Sequence, residues 1–253
     1  MYKTIVSLIL WPIWFVYMLI SLIILFVALY IVTRRHLYYL IRIWCWGACF
    51  FAGQWLIKKG NLPDLDGEPY LYMFNHVSLF DQFMVAAFIG HYVTVVGAVE
   101  QFRWPIWGTV GRKYGAIPIV RKQIKKAVNA LNAAEEAIKK GVSIMIAPEG
   151  TRTITGEIGD FKKGPFHLAY NTEATIVPVG LIGAFEAKKK SDWRLKPGII
   201  TARFGEPILS KNYTGLGVEE IRDLVWDQIR ELIKTLLKLL SLLKNQINIR
   251  QNK

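Results

Sequence analysis

The chain reads as an α/β protein with a mixed central sheet flanked by helices, preceded by an N-terminal two-helix membrane anchor and followed by a long amphipathic C-terminal helix. Three observations carry this. Beyond Gly67, short runs rich in β-branched and aromatic residues alternate with segments of helical periodicity. Before it lie two long apolar stretches, and after Val218 apolar residues recur along one helical face. The expected division is 1–58 for the anchoring hairpin, 59–215 for the α/β domain and 216–253 for the C-terminal helix and tail.

Residues 4–33 contain no charge, and about 30 residues as a helix span about 45 Å, more than a bilayer core of about 30 Å. A secretory leader would have a shorter apolar core and a small-residue cleavage site, so this segment is expected to be retained, with a kink at Pro12. The second apolar stretch, 37–57, is interrupted by Arg42. Its remainder, 43–57, is marginal for a crossing, whereas Tyr38, Tyr39, Trp44, Trp46 and Trp55 suit an interface. Two crossings would put Arg34 and Arg35 on the opposite side from the basic globular part, against the positive-inside tendency. Either the first segment spans and the second lies in the interface, or the pair dips into one leaflet, with the globular domain on the cytoplasmic face.

Strands are expected at 70–74, 92–96, 116–120, 142–146, 176–181 and 199–204. An amphipathic helix over 122–140 ends in Lys139-Lys140 and stops at Gly141. In the C-terminal helix, Glu219, Glu220 and Asp223 open, and Lys234, Lys238 and Lys244 close, a stripe that runs from Ile221 to Leu243, matching the helix macrodipole.

The balance of charge narrows the partner. Among 253 residues, 32 are basic and 19 acidic, a formal +13, which calls for an anionic partner. With 53% hydrophobic residues the chain is too apolar for an ordinary nucleic-acid binder, so a phospholipid surface leads and nucleic acid is excluded. Cys45 and Cys49, four apart in an apolar segment, read as one face of a helix and not as a disulfide or metal site.

Chemistry concentrates at strand ends. Asn75-His76-Val77-Ser78-Leu79-Phe80-Asp81 lies between the strand at 70–74 and a helix expected at 80–89, closed by Gly90. Ser78 and Asp81 fit a capping box, with Ser78 as N-cap. Because His76 precedes the helix, Asp81 can reach back to its ring, fix the tautomer and leave the other nitrogen to take a proton from an alcohol. Arg121 ends the third of these strands, and Arg152 follows Ala147-Pro148-Glu149-Gly150-Thr151. Two guanidiniums at strand ends can clamp a phosphate; equally, each can pair with a carboxylate, Glu100 or Glu149. Gly150 supplies a turn that lets backbone approach a ligand. Lys162-Lys163-Gly164 and Lys188-Lys189-Lys190 add charge that can bind phosphate, face the membrane or be merely solvated, the usual state of such runs. A metal-dependent phosphohydrolase built on His76, Asp81 and Glu149 lacks ligand density, and a non-catalytic protein binding anionic lipid stays open.

Taken together these stretches resemble the glycerophospholipid acyltransferases, whose best-known members acylate lysophosphatidic acid at the sn-2 hydroxyl. Asn75-His76-x4-Asp81 is similar to the first motif of that family, Gly115-x-Ile117-Pro118-Ile119-x-Arg121 to the second, Pro148-Glu149-Gly150-Thr151-Arg152 to the third and Ile176-Val177-Pro178-Val179-Gly180 to the fourth. Phe161-Lys162-Lys163-Gly164 resembles the segment after the third. The resemblance implies His76 and Asp81 as the general-base pair. It also implies Arg121, Glu149, Gly150, Thr151 and Arg152 on the substrate, with Asn75, Ser78, Gly115, Pro118, Lys162 and Pro178 in support. It implies no metal and no cofactor, acyl-CoA or acyl carrier protein as co-substrate, a lysophospholipid acceptor, a bilayer, and a two-helix anchor. Another lysophospholipid or a lyso-aminolipid is the competing acceptor. Two departures stand out: Ala147 where a Phe commonly precedes Pro-Glu-Gly-Thr-Arg, and Ala98-Val99 before Glu100 where the family often carries lysines. Arg103 is a candidate substitute.

Overall fold

A chain with two apolar segments and a strand-helix alternation must place the former against the latter or in lipid, and the computed structural model shows how. It describes residues 1–63 and 69–251, with side chains through residue 235. Two helices, α1 (Tyr2–Ala28) and α2 (Arg34–Phe50), come first, followed by β1 (Gln54–Lys59), β2 (Tyr70–Phe74), α3 (Asp81–Ala86), β3 (Val93–Ala98), α4 (Trp107–Tyr114) and β4 (Ile117–Ile119). Then come α5 (Ile124–Lys139), β5 (Ser143–Ile146), α6 (Gly164–Thr172), β6 (Thr175–Ile182), α7 (Ala184–Ala187), β7 (Gly198–Phe204) and α8 (Val218–Gln251).

The strands form one sheet in the order β1-β7-β6-β2-β5-β3-β4. Every neighbouring pair is parallel except β6 and β7, which run antiparallel. A parallel sheet covered on both faces needs apolar residues at successive positions, and all eight residues of β6 are buried. Alternation divides the core. Tyr72, Met145 and Val177 face the layer of α1 to α4, whereas Leu71, Ile144 and Ile176 face α5, α6 and α8. Pro178 sits inside the central strand β6 without breaking the ladder. Its carbonyl accepts from Gly205 N–H at 2.8 Å, just beyond the end of β7, so the missing N–H falls where the ladder stops.

All six expected strands form within two residues of their expected bounds, and the expected helix over 122–140 is α5. The second apolar stretch is different. It is helical only to Phe50; residues 54–58, expected to continue the anchor, belong with Lys59 to β1, paired with β7 from Gln54↔Gly198 to Lys59↔Arg203. Gly53 turns the chain at φ +77, and the Gln54 amide donates to the carbonyls of Ala52 and Lys196. The boundary at 58/59 therefore runs through a strand of the sheet. The helix expected at 80–89 is shortened to α3 because the Tyr38 hydroxyl bonds the carbonyls of Ala86 and Ile89, ending it early.

Among the described residues α1 alone is long and apolar enough to cross a membrane. One of its faces is exposed and apolar, including Leu8, Ile13, Val16, Ile20 and Ile24, while Trp14, Met18 and Leu25 are buried. Hydrogen bonds from residues 11 to 17 tie it to the rest of the chain: Trp11 Nε1 to Trp193 O, Trp14 Nε1 to Ala48 O, Tyr17 Oη to Trp44 O. α2 lies between α1 and α3 with Leu37, Ala48 and Cys49 fully buried. Ile221, Val225 and Ile229 of α8 are buried as the amphipathic pattern requires; Leu236, Leu237, Lys238, Leu240, Leu243 and Lys244 lie outside the described side chains.

Candidate active site

The C-terminal end of β2 is where the chemistry gathers. Asn75 extends the sheet with its side chain: Nδ2 donates to Leu181 O at 3.1 Å and Oδ1 accepts from Leu181 N at 2.7 Å, pinning the end of β2 to β6. His76 is held by its backbone on both sides, its N–H donating to Glu149 Oε1 at 2.7 Å and its carbonyl accepting from Thr153 N at 2.8 Å. The imidazole Nδ1 lies 2.7 Å from Asp81 Oδ2.

Asp81 is 1% exposed, and its carboxylate also accepts from the backbone N–H of Val77 at 2.8 Å and of Ser78 at 2.9–3.0 Å. A carboxylate gathering only donors requires that Nδ1 carry the proton. In the neutral ring Nε2 is then an acceptor, and among the described residues it has no protein partner. The His76 side chain is 26% exposed. A buried carboxylate at the start of α3 thus sets the tautomer of a reachable imidazole.

Only half of the capping box forms. Asp81 bonds back to Ser78 N–H, but Ser78 is not the N-cap, which is Phe80; the Ser78 hydroxyl donates instead to Lys188 O at 3.1 Å.

The loop after β5 packs under the histidine. Glu149, 5% exposed, accepts from His76 N–H and, at 3.0 Å, from Gly159 N–H, so both of its oxygens are committed to backbone. Burial raises its carboxyl above the ordinary range, with the two amides pulling the other way. Gly150 has φ +70, and its own N–H donates to Ala147 O. Arg121 bonds the Gly150 carbonyl, and its other terminal nitrogen lies 3.9 Å from Glu100 Oε2. Of the two sequence alternatives for Arg121, carboxylate pairing is present in this loose, exposed form. Arg152 differs: among the described residues it has no ion-pair partner, since Glu149 is turned onto the amides.

Around that loop, Lys162 packs its methylenes beside Gly150, where an added Cβ would lie 3.8 Å from Cγ. Lys190 Nζ reaches Thr151 Oγ1 at 3.0 Å and Arg152 O at 3.4 Å. Gly115 and Pro118 stand farther back. Gly115, φ +107, ends α4 against the Tyr92 hydroxyl, and Pro118 lies in β4 ahead of Arg121. Pattern reading did not find Thr153 or Gly159, which act through backbone N–H groups that no side-chain pattern marks; it left the run Lys188-Lys189-Lys190 open between phosphate, membrane and solvent.

Next to Asp81, Gln82 and Phe83 begin an apolar cavity that continues between Leu25, Trp44, Phe102 and Val110. α1 and α2 form part of its wall. Trp44 Nε1 is buried there without a hydrogen-bond partner. Among the described residues no three His, Cys, Asp or Glu side chains form a metal-ligating group.

The family model described as Acyltransferase matches residues 56–182, from within β1 to the end of β6, a span that holds Asn75, His76, Asp81, Arg121, the 147–153 loop and Lys162 but not Lys188 or Lys190. The chain belongs to the acyltransferase family. This acyltransferase is 30% identical over 166 residues to the 1-acyl-sn-glycerol-3-phosphate acyltransferase of Cocos nucifera, covering 63% of this chain and 53% of the relative. It is 28% identical over 201 residues to the enzyme of the same name from Saccharomyces cerevisiae, covering 75% and 66%. The acyltransferase thus spans about half the length of the Cocos relative and about two thirds of the yeast one. Its fold matches the crystal structure of the 1-acyl-sn-glycerophosphate (LPA) acyltransferase PlsC from Thermotoga maritima, with TM-score 0.79 at 22% identity, over 91% of this chain and 96% of that one. The α/β sheet with its flanking helices is shared across that comparison.

Proposed function

We propose that the protein transfers a fatty acyl group from an acyl thioester, acyl-CoA or acyl carrier protein, to the sn-2 hydroxyl of lysophosphatidic acid, with His76 as general base. The single observation that carries this is the 2.7 Å contact of His76 Nδ1 with the buried Asp81 carboxylate, which in the neutral form of the ring leaves Nε2 as the acceptor. The acceptor hydroxyl delivers its proton to Nε2 as its oxygen bonds to the thioester carbonyl carbon. The tetrahedral adduct then expels the thiolate, and the imidazolium returns the proton to sulfur. Asp81 holds the ring and stabilises its transient charge. A general base contributes about 10²–10⁴-fold, and alignment of the two substrates supplies much of the rest.

Arg152, unpaired, is the cation for the acceptor phosphate, with Arg121 beside it. Glu149 acts by positioning: it fixes His76 and does not touch substrate. The Gly150 amide is bonded to Ala147 O and is not free to serve as an oxyanion donor. The apolar cavity beside Asp81 suits the donor's acyl chain. Because α1 packs on α2 and its later residues Leu22 and Leu25 line the cavity together with Phe102 and Val110, α1 lies beside the domain, which supports a hairpin set into one leaflet on the cytoplasmic side over a helix leaving the domain to cross.

The test is an assay of detergent-solubilised protein with labelled acyl-CoA and acyl carrier protein against a panel of lyso-lipids. Turnover should be seen with lysophosphatidic acid and be abolished in His76→Ala, while folding and vesicle binding persist. Substantial turnover in that variant would remove His76 as the base. Tight vesicle binding with no thioester consumed by any acceptor would favour the non-catalytic reading.

A further inference from the structure

We propose that Lys188 and Lys190, in the segment after α7, complete the acceptor's anion site together with Arg152 and select acceptors that carry a phosphomonoester. The inference rests on the lysophosphatidic acid reading above and concerns residues outside its motifs.

Three contacts bring the segment to the site. The Ser78 hydroxyl, two residues from His76, holds the Lys188 carbonyl at 3.1 Å. Lys190 Nζ bridges Thr151 Oγ1 and the Arg152 carbonyl at 3.0 and 3.4 Å. Burial, and after it the charge of Arg152, hold the Lys188 ammonium below its usual range, with Asp192 acting the other way. Three cations therefore gather at one loop. The nearby carboxylate, Asp192, is held by Arg194 through Nε and Nη2 at 2.9–3.2 Å, and its charge offsets that of Arg152 on Lys188 only in part. Glu149 is committed to backbone amides. Like charges held together with incomplete counter-charge are unfavourable, and a dianionic ligand reverses the sign of that interaction.

A phosphomonoester engages three cations better than a phosphodiester, and a neutral acceptor gains nothing from them.

The experiment compares wild type, Lys188→Ala/Lys190→Ala, Lys188→Arg/Lys190→Arg and Arg152→Ala with lysophosphatidic acid, lysophosphatidylglycerol and monoacylglycerol. The double alanine variant should raise the KM for lysophosphatidic acid by about tenfold or more, leave kcat and the acyl-donor KM within about twofold, and change the monoacylglycerol KM little. The double arginine variant should restore affinity. Glycerol 3-phosphate should raise the Tm of wild type and not of the double alanine variant, a readout that needs no turnover. An unchanged lysophosphatidic acid KM in the double alanine variant, with a raised one in Arg152→Ala, overturns this inference and leaves the proposed activity standing. Absence of any transfer to lysophosphatidic acid by wild type overturns the activity; the glycerol 3-phosphate shift then decides the lysines by itself, an equal shift in wild type and variant counting against them.

Discussion

His76 is fixed by main chain as much as by side chain: Glu149 holds its N–H, Thr153 its carbonyl and Asp81 its ring. Asp81→Asn replaces an oxygen that accepts from three donors with an amide able to donate, so the ring loses its tautomer lock; kcat should fall about 10²–10⁴-fold with acceptor KM little changed. Ser78→Ala should leave α3 intact, because Ser78 caps nothing, and should act on acceptor KM by freeing the Lys188 segment. Steady-state kinetics beside a thermal melt separates these outcomes. Glu149→Gln turns an NH₂ toward a buried N–H and should cost about 1–3 kcal/mol. Since burial raises the Glu149 carboxyl in the folded state, the folded protein holds that proton more tightly than the unfolded chain. Its contribution is most favourable below the unfolded value and diminishes as pH rises through the raised folded one. Wild-type stability relative to Glu149→Gln, followed by denaturant melts, should therefore decline with rising pH across that window. The His76–Asp81 pair was legible in sequence because a five-residue offset across one turn is local. The Glu149–His76 and Ser78–Lys188 bonds, separated by 73 and 110 residues, were not.

At the scale of elements, α2 supports the site. The Tyr38 hydroxyl bonds the carbonyls of Ala86 and Ile89 where α3, the helix that carries Asp81, ends. Tyr38→Phe leaves those groups unsatisfied in a buried place, costing about 1–3 kcal/mol, and should lower kcat through a loosened α3; chemical denaturation and turnover together check it. The α1–α2 contact is close enough to need a glycine. A Cβ at Gly47 would lie 2.0 Å from the Tyr17 hydroxyl, which must then abandon Trp44 O. Strands of the central sheet were readable because burial on both faces writes itself as continuous β-branched and apolar runs. β1 was hidden for the same kind of reason: its apolar residues continue those of α2 without a break, and only a distant partner, β7, makes the segment a strand. A window that looks at neighbours alone has no means of seeing that partner.

For the molecule as a whole, the N-terminal helices are part of the core. Tyr38, Leu37 and Cys49 belong to the same buried cluster as Phe80, Tyr72 and Val177. Removing residues 1–53 should therefore expose that face of the sheet and give aggregated, inactive protein by size-exclusion chromatography, not a free-standing soluble domain; a monodisperse active truncation would refute this. The class of fold and the presence of an apolar N-terminal helix were legible from pattern and charge, but how tightly that helix is tied to the sheet was not, because indole and hydroxyl contacts to distant carbonyls leave no periodic trace. The pairing of β1 with β7 also has a consequence in time. β1 emerges early in synthesis, whereas its partner at Gly198–Phe204 is made roughly 140 residues later, a delay on the order of ten seconds at typical ribosomal rates. Throughout that interval β1 is an unpaired edge beside two apolar helices, so the helices must find lipid or a chaperone before the sheet can close, and β7 is the last strand whose arrival completes it.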